Sequence, residues 1–171
     1  SSMLFRGALD LLDRWASGRG EPPPSKAPSR KDGTLVTAEE WRKRYPAIPG
    51  AIVPKGPSQC ELLDFGPDAE RGVLKEPPVV AKDKRYAVLV PATDADGNDV
   101  PGIRAPMVQA PLATYNGWSM RAPGHGYGAM GPIVGSTLLF PETPEARAAA
   151  GDPRPSILER YKDKAAYAAA I

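Results

Sequence analysis

The chain has 171 residues, enough for one ordinary domain, and its 22 basic and 20 acidic side chains nearly cancel. This balance excludes a protein that is drawn to nucleic acid or to an anionic bilayer by its net charge. The single cysteine excludes an internal disulfide, and the single histidine excludes a histidine-rich metal site.

The 21 prolines and 17 glycines predict a folded but loop-rich chain. No apolar run approaches the length of about 18 residues that a membrane span needs. The chain begins without the pattern of a signal peptide, and its localisation stays open. No glycine-rich phosphate loop lies between a predicted strand and a predicted helix, so we expect no cofactor.

Residues 1–17 are predicted to form an amphipathic helix. Apolar side chains recur at helical spacing and make one stripe, namely Leu4, Ala8, Leu11, Leu12 and Trp15. A helix of about four turns is not stable by itself in water, so the stripe must pack on something. We find no obvious partner for it in the following seventy or so residues and therefore expect an incomplete chain.

Residues 18–83 are predicted to be a proline-rich extended strap. A capping box at Thr37 and Glu40 predicts one short helix within it, and prolines end that helix quickly. The segment holds too many apolar residues for a free linker, Trp41 and Phe65 among them. We interpret it as a strap that lies along the surface of a larger body.

Residues 84–141 are predicted to form a small β-hairpin region. The run 86–90 reads as a buried strand, the polar stretch 94–99 as a turn, and 102–104 as the start of the return strand. A glycine-rich loop follows from Gly117 to Gly135. One more short strand is expected at 137–140.

Residues 142–171 are predicted to be helical. Thr143 caps a first helix that Gly151 ends, and a capping box at Ser156 opens a second helix. The second helix is expected to continue to Ile171 without a stop signal, which again indicates a truncated chain. The predicted fold class is thus α+β and loop-rich, with one N-terminal helix, a strap, short strands and two C-terminal helices.

Asp94, Asp96 and Asn98 have the spacing of the first ligands of a calcium loop. The sixth and twelfth positions, which need Gly and Glu, are Asp99 and Ala105, and no helix flanks the segment. We therefore predict an ordinary turn and no metal site, with these three side chains as the weaker alternative.

No residue is predicted to be catalytic. Gly117-Trp118-Ser119-Met120-Arg121 starts like a nucleophile elbow but has Arg where the second Gly belongs. His125, paired with Ser119 or Ser136, is a weaker alternative, because a loop of glycines does not hold a base rigidly. Cys60 has no cationic neighbour in sequence that would activate it, so an idle or structural thiol is the better interpretation.

Three ordered blocks of sequence resemble the C-terminal part of a large, mostly uncharacterised bacterial family of alpha/beta-hydrolase domain-containing proteins. The first block runs from Gly7-Ala8-Leu9-Asp10-Leu11-Leu12 to Asp32-Gly33-Thr34-Leu35-Val36. The second holds Val88-Leu89-Val90-Pro91-Ala92-Thr93-Asp94 and Pro111-Leu112-Ala113-Thr114-Tyr115-Asn116-Gly117-Trp118. The third is Ala149-Ala150-Gly151-Asp152-Pro153-Arg154-Pro155-Ser156-Ile157-Leu158-Glu159-Arg160-Tyr161.

The resemblance implies that the catalytic serine and histidine of the family lie upstream of this chain. Residues 1–17 then correspond to a closing helix of the hydrolase core, and the rest to an extension that packs on it. Such a segment of a serine-hydrolase-like ester hydrolase is expected to be inactive alone and to help shape the substrate entrance. The candidates for lining that entrance are Tyr115, Trp118 and Tyr127.

The expected partner is the missing hydrolase core, in the same or a separate chain, and self-association is compatible with the sequence. The alternative function is a stand-alone interaction module that docks through the apolar stripe of residues 4–15. A small enzyme that uses His125 is a third and weaker hypothesis. We expect neither nucleic acid nor membrane as a partner.

Overall fold

The computed structural model describes residues 2–57, 60–131 and 133–171. In these ranges the helices are α1 (Ser2–Ala16), α2 (Ala38–Arg44), α3 (Pro106–Gln109), α4 (Pro144–Ala150), α5 (Ile157–Arg160) and α6 (Lys164–Ala170). The strands are β1 (Leu35–Thr37), β2 (Glu61–Asp64), β3 (Val79–Arg85), β4 (Leu89–Pro91), β5 (Ala113–Asn116) and β6 (Ser136–Leu139). They pair antiparallel in twos, β1 with β4, β2 with β3 and β5 with β6, which confirms the α+β, loop-rich fold class.

The predicted N-terminal helix is present as α1, and its apolar stripe is exposed. Leu12 and Trp15 keep 53% and 54% of their surface in contact with solvent, and no residue of α1 is buried by the described part of the chain. The helix is supported locally by the ion pair between Arg14 and Asp10 at 3.3 Å. Gly18, with φ of 69°, ends it in the left-handed conformation that glycine adopts readily. None of the described helices is both long and apolar enough to cross a membrane.

The predicted capping box opens α2. The Glu40 amide donates to Thr37 Oγ1 at 3.2 Å, and the Thr37 amide donates to Glu40 Oε2 at 2.7 Å. More regular structure lies in residues 18–83 than we predicted, because β1, β2 and most of β3 form there. The β2–β3 pair is not predicted from the sequence because both strands are largely exposed and lack an alternating apolar face.

The predicted hairpin between 86–90 and 102–104 is wrong. β4 pairs with β1 instead, with Val90 opposite Val36. The two sides of the polar turn form an isolated bridge between Thr93 and Asp99. In it the Asp94 amide donates to the Asn98 carbonyl at 2.8 Å and the Val100 amide donates to the Ala92 carbonyl at 2.9 Å. Pro101 has no amide hydrogen to continue a ladder, and the Gly102 amide donates to the Lys26 carbonyl at 2.9 Å. The turn itself is present, since the Gly97 amide donates to the Asp94 carbonyl at 3.0 Å.

The prediction of one helix from Ile157 to the last residue is also wrong, because the structure divides this segment into α5 and α6. The Ser156 capping box that opens α5 is confirmed. Tyr161 then leaves the helical conformation, and its hydroxyl donates to the Pro111 carbonyl at 3.1 Å. Asp163 Oδ1 accepts from the Ala166 amide at 2.8 Å and caps a new helix. Tertiary contact and a competing cap thus overcome the local preference for one helix.

The core lies around the β5–β6 pair and is small and partly polar. The buried apolar residues are Val36, Tyr45, Ile48, Ala92, Ala110, Ala113 and Phe140. Polar side chains are buried beside them, namely Asn98, Thr114, Asn116, Asp152, Arg154 and Ser156. Buried polar groups destabilise a folded protein unless they are hydrogen-bonded. The hydrogen bonds among these side chains therefore hold the segments around β5 in place.

Candidate functional site

A cavity of about 270 Å³ lies between α2, the turn after β4 and the loop after β5. Its walls are mainly apolar and come from segments that are far apart in sequence. The larger side chains that line it are Trp41, Pro54, Pro57, Val90, Trp118 and Met130. Concave apolar sites with a few polar groups are the usual form of small-molecule sites in proteins.

Three aromatic rings form one side of the site. The ring centroids of Trp41 and Tyr45 are 4.7 Å apart, and those of Trp41 and Trp118 are 6.2 Å apart with the planes nearly perpendicular at 84°. Trp41 and Tyr45 are one helical turn apart at the end of α2, so the cap at Thr37 helps to place both. The edge-to-face arrangement is a favourable one for aromatic pairs.

A chain of hydrogen bonds fixes this aromatic cluster on β5 and β6. The Tyr45 hydroxyl donates to Asn116 Oδ1 at 2.9 Å, Asn116 Nδ2 donates to Ser136 Oγ at 3.2 Å, and Ser136 Oγ donates to the Trp118 carbonyl at 2.8 Å. Burial raises the pKa of the Tyr45 hydroxyl, with the hydrogen bond to Asn116 acting in the opposite direction. Tyr45 is therefore a neutral donor, which suits its role of holding α2 against β5.

The polar lining of the cavity includes Thr93 and Asp99. Thr93 Oγ1 is buried and has no hydrogen-bond partner among the described residues. Asp99 is the single charged side chain that the described residues place on the cavity wall. Desolvation raises the pKa of its carboxyl, and the neighbouring Asp94 carboxylate raises it further. Both groups thus have bonding capacity that the described protein atoms leave unused.

The floor beneath the site depends on Gly97 in the turn after β4. Its φ is 81°, in the left-handed region, and a Cβ there would stand 3.1 Å from Tyr45 Cε2 and 3.0 Å from Thr114 Cγ2. Only glycine therefore fits both the backbone conformation and the space. This close approach lets the turn pack directly on the aromatic cluster and on β5.

Arg154 connects this floor to the C-terminal segment. Its guanidinium is 2% exposed, and each of its five N–H groups is used. Nε and Nη2 donate to the two carboxylate oxygens of Asp152 at 2.9 and 2.6 Å. Nη1 donates to Thr114 Oγ1 and the Leu138 carbonyl at 2.8 and 2.9 Å, and Nη2 also donates to the Leu139 carbonyl at 3.1 Å. The fork of one arginine thus holds β5, β6 and the segment before α5 together.

Of the three residues predicted to line an entrance, the structure places only Trp118 on this cavity. Tyr115 is half-buried on β5, where its amide donates to Asn98 Oδ1 at 2.8 Å. Tyr127 is 63% exposed on the glycine-rich loop. The role of all three residues at an entrance to a larger protein stays a prediction.

The described residues do not bring a nucleophile and a base together. His125 is exposed on the glycine-rich loop, and no described serine hydroxyl is hydrogen-bonded to it. The Ser136 hydroxyl is engaged with Asn116 and the Trp118 carbonyl, and Ser119 lies on the wall of a second, more polar cavity. Cys60 is exposed and unpaired with any other cysteine.

The side chains with calcium-loop spacing are used within the protein. Asp94 Oδ1 accepts from the amides of Asp96 and Asn98, and its Oδ2 accepts from Arg104 at 2.9 Å. Asp96 forms a two-pronged ion pair with Arg160. Asn98 is fully buried, and its Nδ2 donates to the Ala113 carbonyl at 3.1 Å. Within the described ranges no group of three His, Cys, Asp or Glu side chains is arranged to hold a metal ion.

Sequence analysis missed Trp41, Thr93 and Asp99 as members of a site. In the sequence Trp41 falls within the predicted strap, and Asp99 stands at the position where a calcium loop needs Gly. One local signal was available, because Trp41 and Tyr45 are spaced to share a face of the helix that the capping box predicts. Nothing in the local sequence predicts that this face of the helix contacts Trp118.

The comparisons with known proteins give one match. A family model described as an alpha/beta hydrolase domain matches residues 1–171. A search of the curated proteins finds no match. A search of the solved structures finds none either. Since the family model spans the whole of the sequence, this chain belongs to the alpha/beta hydrolase domain family.

Proposed function

We propose that this chain is the non-catalytic C-terminal segment of a serine-hydrolase-like protein, an ester hydrolase as a whole. It packs on the catalytic core through the apolar stripe of α1 and contributes to the wall of the substrate entrance. The observation that carries the proposal is the exposed stripe on α1 in a chain that belongs to a hydrolase family.

The stripe supports the proposal because exposed apolar surface of this kind is usually covered by a partner. Leu4, Leu12 and Trp15 lie on one side of α1 and are 44–54% exposed. Burial of apolar surface contributes about 25 cal/mol for each Å² removed from water. A helix that presents several large apolar side chains to solvent therefore gains stability when a second surface covers it.

The separation of the potential catalytic groups supports the non-catalytic part of the proposal. Acyl transfer by a serine needs a base within hydrogen-bond distance of the hydroxyl and a third group that orients the base. Ser136 donates to a backbone carbonyl, and His125 lies on an exposed loop among glycines. Neither arrangement activates a nucleophile.

An assay of ester hydrolysis tests the part of the proposal that says this chain is inactive by itself. The purified chain is assayed with p-nitrophenyl butyrate, and the expected rate equals that of the buffer. His125→Ala and Ser136→Ala serve as controls for traces of contaminating esterase. Turnover by the wild-type chain that either substitution abolishes overturns the proposal in favour of a small serine enzyme.

Packing through α1 is tested by co-expression with a catalytic domain of the same family. The expected result is a complex that Leu12→Glu disrupts, because the substitution places a charge within the apolar stripe. Arg6→Glu is the matched control, since Arg6 lies on the opposite side of the helix and is exposed. A complex that tolerates Leu12→Glu, or that Arg6→Glu disrupts equally, contradicts the proposed surface.

The alternative is a stand-alone module that docks on an unrelated protein through residues 4–15. It uses the same stripe, and the family match is what favours the hydrolase core as the occupant. Sedimentation of the isolated chain separates the two. A segment that has lost its core is expected to self-associate through α1, whereas a module is expected to remain monomeric at the same concentration.

A further inference from the structure

We infer that the cavity between α2, the turn after β4 and the loop after β5 binds a small organic cation of the alkylammonium type. Asp99 supplies the counter-charge and the indoles of Trp41 and Trp118 supply the apolar wall. This inference concerns the chain's own cavity and does not depend on whether α1 covers a catalytic core.

The first observation is that Asp99 is the one charged side chain on the cavity wall in the described part of the chain. Asp99 forms no salt bridge within the described residues, whereas the nearby carboxylates Asp94 and Asp96 are paired with Arg104 and Arg160. An ionised carboxylate beside apolar walls is less well solvated than one in open water. Asp99 lines the cavity and stays accessible to solvent, so a ligand can reach its carboxylate. Desolvation by the neighbouring atoms raises the pKa of this carboxyl, and a cation bound beside it would offset that cost.

The second observation is that two tryptophan side chains, Trp41 and Trp118, line the same cavity. Tryptophan is the side chain whose face attracts cations most strongly, and quaternary ammonium groups are typically bound by several aromatic rings. Trp41 and Trp118 stand nearly perpendicular, with 6.2 Å between centroids, so the pair forms a corner and not a closed stack. Both indoles also line the cavity, so part of each ring can contact a ligand bound there.

Size and hydrogen bonding narrow the ligand class. A cavity of about 150 Å³ is enough for benzene, and drug-sized ligands need about 300 Å³ or more. The observed volume of about 270 Å³ therefore fits a compact ligand. Thr93 Oγ1, buried without a partner, can exchange a hydrogen bond with a ligand hydroxyl. A trimethylammonium alcohol such as choline has all of these properties and is the probe we choose.

The experiment is calorimetric titration of the chain with choline and with 3,3-dimethylbutan-1-ol, the neutral molecule of the same shape. Choline is expected to bind the wild-type chain at least about tenfold more tightly than the alcohol. In Asp99→Asn the ratio is expected to fall to about one, because the substitution removes the charge at nearly constant volume. Asp10→Asn, an exposed carboxylate on α1, is the matched control and is expected to keep the wild-type ratio.

A second readout places the ligand. In a Trp15→Phe background the remaining tryptophans are Trp41 and Trp118, both on the cavity wall. Choline is expected to change their fluorescence saturably, with the affinity that calorimetry measures. The proposal is overturned by the absence of saturable choline binding, by equal binding of choline and the neutral alcohol, or by a ratio that Asp99→Asn leaves unchanged.

Discussion

Replacing Arg154 by Met removes the buried charge that joins β5, β6 and the segment before α5. Methionine matches the arginine side chain only as far as Nε, so the substitution removes the guanidinium with its five N–H donors. Asp152 then remains as a buried carboxylate without a counter-charge, since both of its oxygens accept from Arg154. The carbonyls of Leu138 and Leu139 lose the same partner.

The expected loss is about 4 kcal/mol in the free energy of unfolding. Removing one partner of a buried ion pair costs about 3–5 kcal/mol, because the other charge is left without compensation. This loss is a large part of the roughly 5–15 kcal/mol that stabilises an ordinary domain. Arg154→Lys is expected to cost about half as much, since an ammonium keeps the charge but not the planar fork.

Urea unfolding followed by tryptophan fluorescence measures both losses, with the slope of the transition as a check that the same structure unfolds. Arg71→Met is the matched control, because Arg71 is 76% exposed and its change is expected to stay within about 0.5 kcal/mol. The double variant Asp152→Leu/Arg154→Met is expected to recover part of the stability. A loss below about 1 kcal/mol in Arg154→Met refutes the view that this arginine holds the three segments together.

Three further predictions concern the same part of the molecule. Gly97→Ala is expected to destabilise the chain by about 2 kcal/mol or more, from the left-handed backbone and the contact with Tyr45, and an unchanged melting temperature contradicts the tight approach. Tyr45→Phe is expected to cost about 1–2 kcal/mol by leaving Asn116 Oδ1 without its donor, and a loss no greater than that of an exposed Tyr→Phe change refutes this bond as a support. The third is acid destabilisation through Asp152. Burial opposes its ionisation, but the hydrogen bonds and charge of Arg154 outweigh burial and lower the pKa of its carboxyl. Its contribution is present above the unfolded value of about 3.9 and is lost as the pH falls through the lower folded value, so acid titration should show a loss that Arg154→Met no longer shows.

Only some of the residues that line the cavity can be predicted from the sequence. The position of Trp118 beside a glycine-rich loop predicts that it lines a substrate entrance, and this role stays a prediction. The structure places its side chain on the wall of the cavity. Trp41 and Asp99 were not predicted, since each reaches the site through a pairing of distant segments. The Tyr45–Asn116 hydrogen bond that aligns the aromatic rings spans 71 positions of sequence. Such a contact leaves no periodic pattern in either segment.

Two wrong predictions have a common physical origin. The expected hairpin after Tyr86 and the expected single helix after Ile157 both follow from strong local patterns. Long-range contacts override both of them: β4 gains a better partner in β1, and the Tyr161 hydroxyl is held by Pro111. Local propensities amount to fractions of a kcal/mol per residue, so a few tertiary hydrogen bonds and buried contacts outweigh them.

The sequence by itself determined α1, the caps of α2, α4 and α5, the polar turn before Asn98 and the loop-rich character of the chain. Each of these depends on residues within about one helical turn of one another, where side-chain type and spacing fix the hydrogen bonds. Only the tertiary structure decided that β1 pairs with β4, that Asp99 and Trp41 face one cavity, and that Arg154 joins β5 to the C-terminal segment. These features depend on which distant surfaces bury each other's polar and apolar groups, and that balance exists only once the chain has folded.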